Sequence, residues 1–235
     1  MNSSINRKII VAIDGYSSSG KSSMARELAK NIGYRYIDSG AMYRAATLYA
    51  MRHGFISSEG VLNTQALVDA LPDIHIDFLV DGSKQFTLLN GENVEAPIRS
   101  LEVSNNVSEV SAVPQVRHAL TAMQQAYGKE RGIVMDGRDI GTTVFPDAEM
   151  KVFVNASPET RARRRLAELQ QKGMDATYED VLANVVHRDH IDENRAESPL
   201  RKADDAVCLD NGNMTIDEQN RWLTELFDKK VKQNC

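Results

Sequence analysis

The stretch that most limits what this chain can become is Gly15-Tyr16-Ser17-Ser18-Ser19-Gly20-Lys21-Ser22, which satisfies G-x-x-x-x-G-K-[ST] in full. Its surroundings agree: the apolar run Ile9-Ile10-Val11-Ala12-Ile13 precedes it, and a helix-period segment begins at Ser22. Between a strand and a helix, such a loop turns consecutive backbone N–H groups inward while the helix dipole adds positive potential from behind. A polyphosphate suits that arrangement, so a nucleotide is the expected ligand. Lys21 would reach the β- and γ-phosphates, and the Ser22 hydroxyl would bind Mg2+. A plain Gly/Ser-rich turn, the competing reading, leaves the joint match of strand, loop and helix unexplained.

The rest of the chain follows an alternating plan. Met1 to Arg7 read as a polar tail; Met24, Ala25, Leu28, Ala29 and Ile32 recur at helical spacing until Gly33 stops the helix. A short strand around Tyr34 to Ile37 leads to a helix over about Ala41 to Arg52, which Asp38 or Ser39 could cap and Gly54 closes. From Leu71 the grammar changes. Ile74, Ile76, Phe78 and Val80 alternate with polar residues, Asp81-Gly82 makes a turn, and Phe86 and Leu88 alternate again before Asn90-Gly91. This predicts a small antiparallel insert over about 72–99. Helices resume near Leu101, break at Pro114 and continue from Val116 to Tyr127. Strands are expected at Gly132 to Met135, Met150 to Val154 and Ala206 to Leu209, and helices from Pro158, from Tyr178 to His190, and from the capping box Thr215-Ile216-Asp217-Glu218. The fold class is therefore α/β: a P-loop-type parallel sheet covered by helices on both faces, with a small antiparallel insert.

Composition narrows the function. A net charge of -5 on 235 residues argues against a general nucleic-acid binder, whose footprint is basic over a whole face. No apolar stretch suits a signal peptide or a membrane span. Two cysteines form no disulfide framework; Cys208 reads as a small core residue and Cys235 as frayed, so a soluble, cytoplasmic protein is expected.

Arginine is the informative residue. Arg44, Arg99, Arg117, Arg138, Arg161, Arg164, Arg165, Arg188 and Arg195 exceed what one nucleotide needs and suggest two phosphate-bearing ligands. Taken singly, Arg161, Arg163 and Arg165 read better as a solvated helix face. A hydroxyl acceptor would require a carboxylate base, whereas a phosphate acceptor, mostly dianionic at neutral pH, needs alignment and charge neutralisation. Asp14 and Asp136 end two strands; either they contact Mg2+ through an outer shell or water, or they bond loop N–H groups. A guanine-reading N-K-x-D element is missing, which disfavours a switch GTPase.

With these residues in place, the chain resembles the bacterial cytidylate kinases, P-loop nucleoside monophosphate kinases. The resemblance rests on Ile13-Asp14-Gly15 through Lys21-Ser22-Ser23, on Asp38-Ser39-Gly40-Ala41-Met42-Tyr43-Arg44, and on Pro97-Ile98-Arg99 with Val116-Arg117. It continues through Asp136-Gly137-Arg138-Asp139-Ile140-Gly141-Thr142 to Val144-Phe145-Pro146-Asp147-Ala148, then Arg188-Asp189 and Asp192-Glu193-Asn194-Arg195. It implies transfer of the γ-phosphoryl of ATP, with Mg2+, to CMP or dCMP; UMP and a hydroxyl acceptor of the shikimate-kinase type are the alternatives. It implies a monomer with no nucleic-acid or membrane partner. The core would comprise residues 8–38 and 130–235, the monophosphate-binding region 39–129, and the lid with its flanking helices 158–195. ATP would lie on Gly15, Tyr16, Ser17, Ser18, Ser19, Gly20, Lys21, Ser22 and Ser23, with Arg161 and Arg164. The acceptor would meet Ser39, Arg44, Arg117, Asp136, Arg138, Asp139, Arg188, Asp192 and Arg195. Catalysis would fall to Lys21, Arg138, Arg164, Arg165 and Arg188, with Ser22 on the metal. Tyr16 and Ser17 depart from the Pro and small residue often found in this loop, and Ser22-Ser23 stands where Gly-Thr or Ser-Thr is common.

Overall fold

Six consecutive buried residues, Ile10–Gly15, form the central strand β1. Such a run suits a strand covered on both faces by helices, where no polar alternation is needed. The computed structural model describes residues 8–81, 84–171 and 173–233; the expected N-terminal tail, Gly82 of the Asp81-Gly82 turn and Cys235 lie outside the described residues. Strands β2 (Arg35–Asp38), β6 (Ile133–Gly137), β7 (Met150–Asn155) and β8 (Val207–Asp210) complete a five-stranded parallel sheet in the order β2-β6-β1-β7-β8. Within it β1 runs parallel to β6 and to β7, pairing Ala12 with Met135 on one side and Lys151 on the other. The chain divides into two compact units: the first contains the residues up to Ile37, Gln125–Asn194 and those from Ser198 onward; the second contains Asp38–Gln124 and Arg195–Glu197.

In the first unit, helix α1 (Lys21–Ile32) buries Met24, Ala25, Leu28 and Ala29 at the expected spacing. They share a core with Ile9, Val11, Ile13, Val134, Val152 and Leu209, and with Leu223 and Phe227 of α8 (Ile216–Gln233). The capping box at the head of α8 is formed: the Thr215 hydroxyl accepts from Glu218 N at 3.2 Å, and the Glu218 carboxylate accepts from Thr215 N at 2.8 Å. Helices α6 (Pro158–Gln171) and α7 (Tyr178–Asn194) pack on one another around Ala162, Leu169 and Val181. The α7 helix extends one turn past the expected end at His190, which brings Asp192 and Glu193 into regular helix. Among the described residues no helix is long and apolar enough to cross a membrane.

The second unit is built from α2 (Ser39–Arg52), α3 (Thr64–Asp69), α4 (Leu101–Ala112), much of α5 (Pro114–Tyr127) and the antiparallel strands β3 (Ile76–Asp81), β4 (Lys84–Leu89) and β5 (Glu92–Asn93). Asp38, rather than Ser39, caps α2, its side chain accepting from Ala41 N at 2.9 Å. Asn90 and Gly91 both have positive φ, 51° and 84°, the conformation of a two-residue hairpin turn that joins β4 to β5. Ile76 and Phe78 are buried as their alternation predicts, but Val80 is 58% exposed because the hairpin tip has left the core.

One sequence reading is overturned here. Cys208 is exposed and Leu209 buried. Ala206 to Leu209 reads as one apolar run, but strand periodicity sends neighbouring side chains to opposite faces, and β8 is an edge strand with one face left open.

Where β1 ends, two residues are constrained by backbone. Gly15 sits at φ 148°, and a Cβ there would overlap the Val154 carbonyl of β7. Gly15→Ala is expected to destabilise the protein by about 2 kcal/mol or more, since a backbone wall cannot yield as a side chain can; a chemical-denaturation midpoint equal to wild type would contradict this. Asp14 accepts from Ile140 N and Gly141 N, both at 2.7 Å, and so fixes the single π turn Ile140–Val144. Burial pushes its carboxyl up to about 7 against the pull of those two N–H groups. A carboxyl raised in the folded state favours folding most below its unfolded value near 3.8 and loses that contribution as pH climbs to about 7. Relative to Asp14→Asn, which does not titrate, wild-type stability should fall by up to ~1.4 kcal/mol per pH unit across that window. A difference between the two proteins that stays flat from pH 4 to pH 7 would refute it.

Candidate active site

The loop leaving β1 joins the central strand directly to the N-terminus of α1. Gly20, the residue before α1, is in the left-handed region at φ 87°, and no side chain caps the helix. The cap residue therefore takes none of the first-turn N–H groups, where the positive end of the helix dipole lies. Ser17 and Ser19 each bury a hydroxyl that makes no hydrogen bond. Buried hydroxyls left this way cost stability unless a ligand satisfies them. Lys21 is buried, with its Nζ 3.1 Å from the Tyr16 carbonyl oxygen. A loop at a helix N-terminus without a side-chain cap, with two hydroxyls unsatisfied among the described residues and a lysine, suits a chain of phosphates.

Next to it is an oxygen pair. Ser22 Oγ donates to Asp136 Oδ2 at 2.6 Å, and the Tyr36 hydroxyl donates to Asp136 Oδ1 at 2.7 Å. Asp136 stands near the carboxyl end of β6, directly across the sheet from Ile13. A hydroxyl and a carboxylate side by side at the foot of a phosphate loop are the hard oxygen donors that Mg2+ takes alongside nucleotide phosphates, so the residues fit that ion. Ser23 is exposed and Ser22 carries the contact, which separates the two neighbouring hydroxyls. Asp14 is committed to Ile140 and Gly141.

The arginines of α6 and α7 divide by role. Arg161, expected singly to lie on a solvated face, is 2% exposed. Its guanidinium makes a two-pronged pair with Asp189 at 3.0 and 2.6 Å, donates to Ser17 O at 3.3 Å, and lies 4.8 Å from the centre of the Tyr16 ring. The helix period explains the misreading, because Arg161 and Ala162 face α7 while Arg163 faces solvent. Arg164 donates to Ser19 O at 3.2 Å and to Asn211. Arg165 pairs with Glu168 three residues along. Arg138, just past β6, donates from Nε to Asp192 Oδ2 at 2.7 Å; burial works against its charge but Asp192 outweighs it, raising the group above its ordinary value. Asp139 is buried and its carbonyl receives Thr143 N at 2.8 Å. Arg188 differs from all of these. Its Nε is buried without a hydrogen bond, and burial, then the like charge of Arg138, push it down to about 10. Arg165 adds a third positive charge in range. Asp192 and Asp189 favour the Arg188 charge, and an anion placed there would favour it further.

The second unit has its own set. Ser39 is buried in the first turn of α2. Arg44 donates to Ser104 Oγ at 2.8 Å, and Arg117 donates to Ser111 O at 3.2 Å while its guanidinium carbon lies 5.2 Å from the centre of the Tyr43 ring. Arg99 bridges Asp38 at 2.8 Å and Glu95 at 2.9 Å; burial would raise the Asp38 carboxyl, but Arg99 holds it below the usual range. Arg195 is 8% exposed.

Three residues of this site, Asn211, Gln219 and Glu193, escape the sequence reading. Asn211 is fully buried and donates to Ser19 O at 2.7 Å and to Gln219 Oε1 at 3.0 Å, so that β8 and α8 brace the phosphate loop. Its place one residue beyond a parallel strand is the available signal. Glu193 accepts the Tyr16 hydroxyl at 2.6 Å. That pair crosses 177 residues of sequence, and no local pattern announces it.

A family model described as Cytidylate kinase matches residues 11–229. The Cytidylate kinase of Phocaeicola vulgatus is 57% identical over 227 residues, covering 96% of this chain and 99% of that protein. That of Bacteroides thetaiotaomicron is 56% identical, covering 97% and 100%, and that of Flavobacterium johnsoniae is 52% identical, covering 96% and 99%. A family model matched over residues 11–229, with relatives more than half identical over nearly the whole length, means that the chain belongs to the cytidylate kinase family.

Proposed function

We propose that the chain transfers the γ-phosphoryl group of ATP to CMP and dCMP, acting as a monomeric cytoplasmic enzyme. The observation that carries this reading is Arg188, whose buried Nε has no hydrogen bond and whose charge is opposed by Arg138. A second arginine site beyond the loop's own needs is what an anionic acceptor requires, and the family supplies its identity as a cytidine monophosphate.

Each group then has a task. The loop amides with the Ser17 and Ser19 hydroxyls bind the donor's phosphates, and Lys21 turns from the Tyr16 carbonyl to the oxygens that gain charge. Ser22 and Asp136 would hold Mg2+, which would supply charge neutralisation for the nucleotide phosphates. Arg164, steadied by Asn211, places its positive charge beside Ser19 of the loop. Arg138 and Arg188 hold the acceptor phosphate, with Asp192 fixing the orientation of Arg138. Ser39, Arg44 and Arg117 bind the acceptor nucleotide, and Arg188, Asp192 and Arg195 pair with the donor and acceptor groups on cytosine's edge, a pattern that uracil does not present. No general base is needed, because the attacking oxygen belongs to a phosphate that is already largely dianionic.

Purified protein with Mg·ATP should release ADP with CMP or dCMP and much more slowly with UMP, AMP, GMP or shikimate; preference for any of the latter would overturn the reading. Lys21→Ala should lower kcat by about 100-fold or more with an unchanged melting temperature, since one preorganised donor to developing charge is worth about that. Arg188→Ala should lower kcat/KM for CMP by about 100-fold while leaving ATP affinity within twofold; an equal loss on both would place Arg188 outside the acceptor site.

A further inference from the structure

The second residue of the phosphate loop is a tyrosine, and its ring is held from three sides. Phe153 of β7 meets it edge-on, with centroids 5.9 Å apart and planes at 83°. The Arg161 guanidinium of α6 lies 4.8 Å from its centre. Its hydroxyl donates to Glu193 of α7 at 2.6 Å. Strand, helix and helix therefore converge on one side chain at the point where β1 becomes loop.

The last turns of α7 give this convergence a purpose. Asp189 grips Arg161, Asp192 grips Arg138, and Glu193 takes the Tyr16 hydroxyl. Arg188 lies among these three anchors, with its Nε left for a ligand. Glu193 is tied directly to a loop residue by side chain. Arg161 connects to the loop as well, through Ser17 O at 3.3 Å, so the Tyr16 ring and the Ser17 carbonyl share one guanidinium.

We propose that Tyr16 is a positioning residue for phosphoryl transfer: through Glu193 and Arg161 it sets the register of α7, and hence of Arg188, against the phosphate loop. The proposal rests on the kinase reading above. The contribution of the Tyr16 side chain is alignment, which a small displacement degrades in the rate before it degrades binding. Replacing the tyrosine by phenylalanine removes only the hydroxyl and keeps both ring contacts.

The test is steady-state kinetics with CMP and Mg·ATP on the full chain, beside a melting curve. Tyr16→Phe should lower kcat three- to tenfold, with KM for ATP within twofold and the melting temperature within 2 °C of wild type. Glu193→Leu should reproduce that loss. Glu193→Gln, which still offers an oxygen to the hydroxyl, should recover at least half of the wild-type kcat. The double variant Tyr16→Phe/Glu193→Leu should be no slower than the worse single variant, as for two ends of one contact. Wild-type kcat in Tyr16→Phe, losses that multiply in the double variant, or no recovery in Glu193→Gln would each overturn the proposal. Wild-type protein that releases no ADP with Mg·ATP and CMP would instead refute the kinase reading, so the two failures are told apart.

Discussion

Everything in the first unit hangs on β1 lying between two parallel neighbours. With β6 on one side and β7 on the other, its backbone groups are committed along its length, and its side chains are buried throughout. The chain can only escape at the carboxyl end, at Gly15, pressed against Val154 so closely that a side chain has no room. The phosphate loop is therefore placed by the sheet. The carboxylate Asp136 emerges at the corresponding end of β6, and Asn211 just past β8. Open parallel sheets gather ligand groups at this edge because that is where strands hand over to helix N-termini.

Around that edge the protein arranges charge in advance of any ligand. A chain of net charge -5 matches the arginines of this unit with carboxylates: Arg161 with Asp189 and Arg138 with Asp192. Burying such pairs contributes little net stability, because desolvation offsets much of the attraction. Their benefit is geometric: each guanidinium is held in one orientation, so less is lost in ordering it when phosphate arrives. Arg188 is the exception that gives the arrangement direction: it stays charged at neutral pH, yet burial and the like charge of Arg138 lower it to about 10, and its buried Nε makes no hydrogen bond among the described residues.

Much of this is legible in the residues themselves. The G-x-x-x-x-G-K-[ST] loop, the capping box at Thr215 and the Asn90-Gly91 turn are local signals whose physics needs no tertiary context, and each appears where the residues place it. Asp136 and Arg138 stand out because they follow a strand. Orientation is what a local pattern does not carry. Cys208 and Leu209 look alike in a short apolar run, yet strand alternation separates them. Arg161 and Arg163 look alike on a helix, yet only the first meets α7. Glu193 and Asn211 are invisible to such reading because their partners, Tyr16 and Ser19, are far away in sequence and a single chain carries no record of such pairing.

The central claim is that main-chain amides between β1 and α1 hold the donor's phosphates. Amide hydrogen exchange, read residue by residue with and without Mg·ATP, tests it most directly. Exchange at residues 16–22 should slow at least tenfold on adding Mg·ATP and stay unchanged on adding CMP alone. If ATP binds and those amides exchange as fast as they do without it, the phosphates lie elsewhere and the account is wrong.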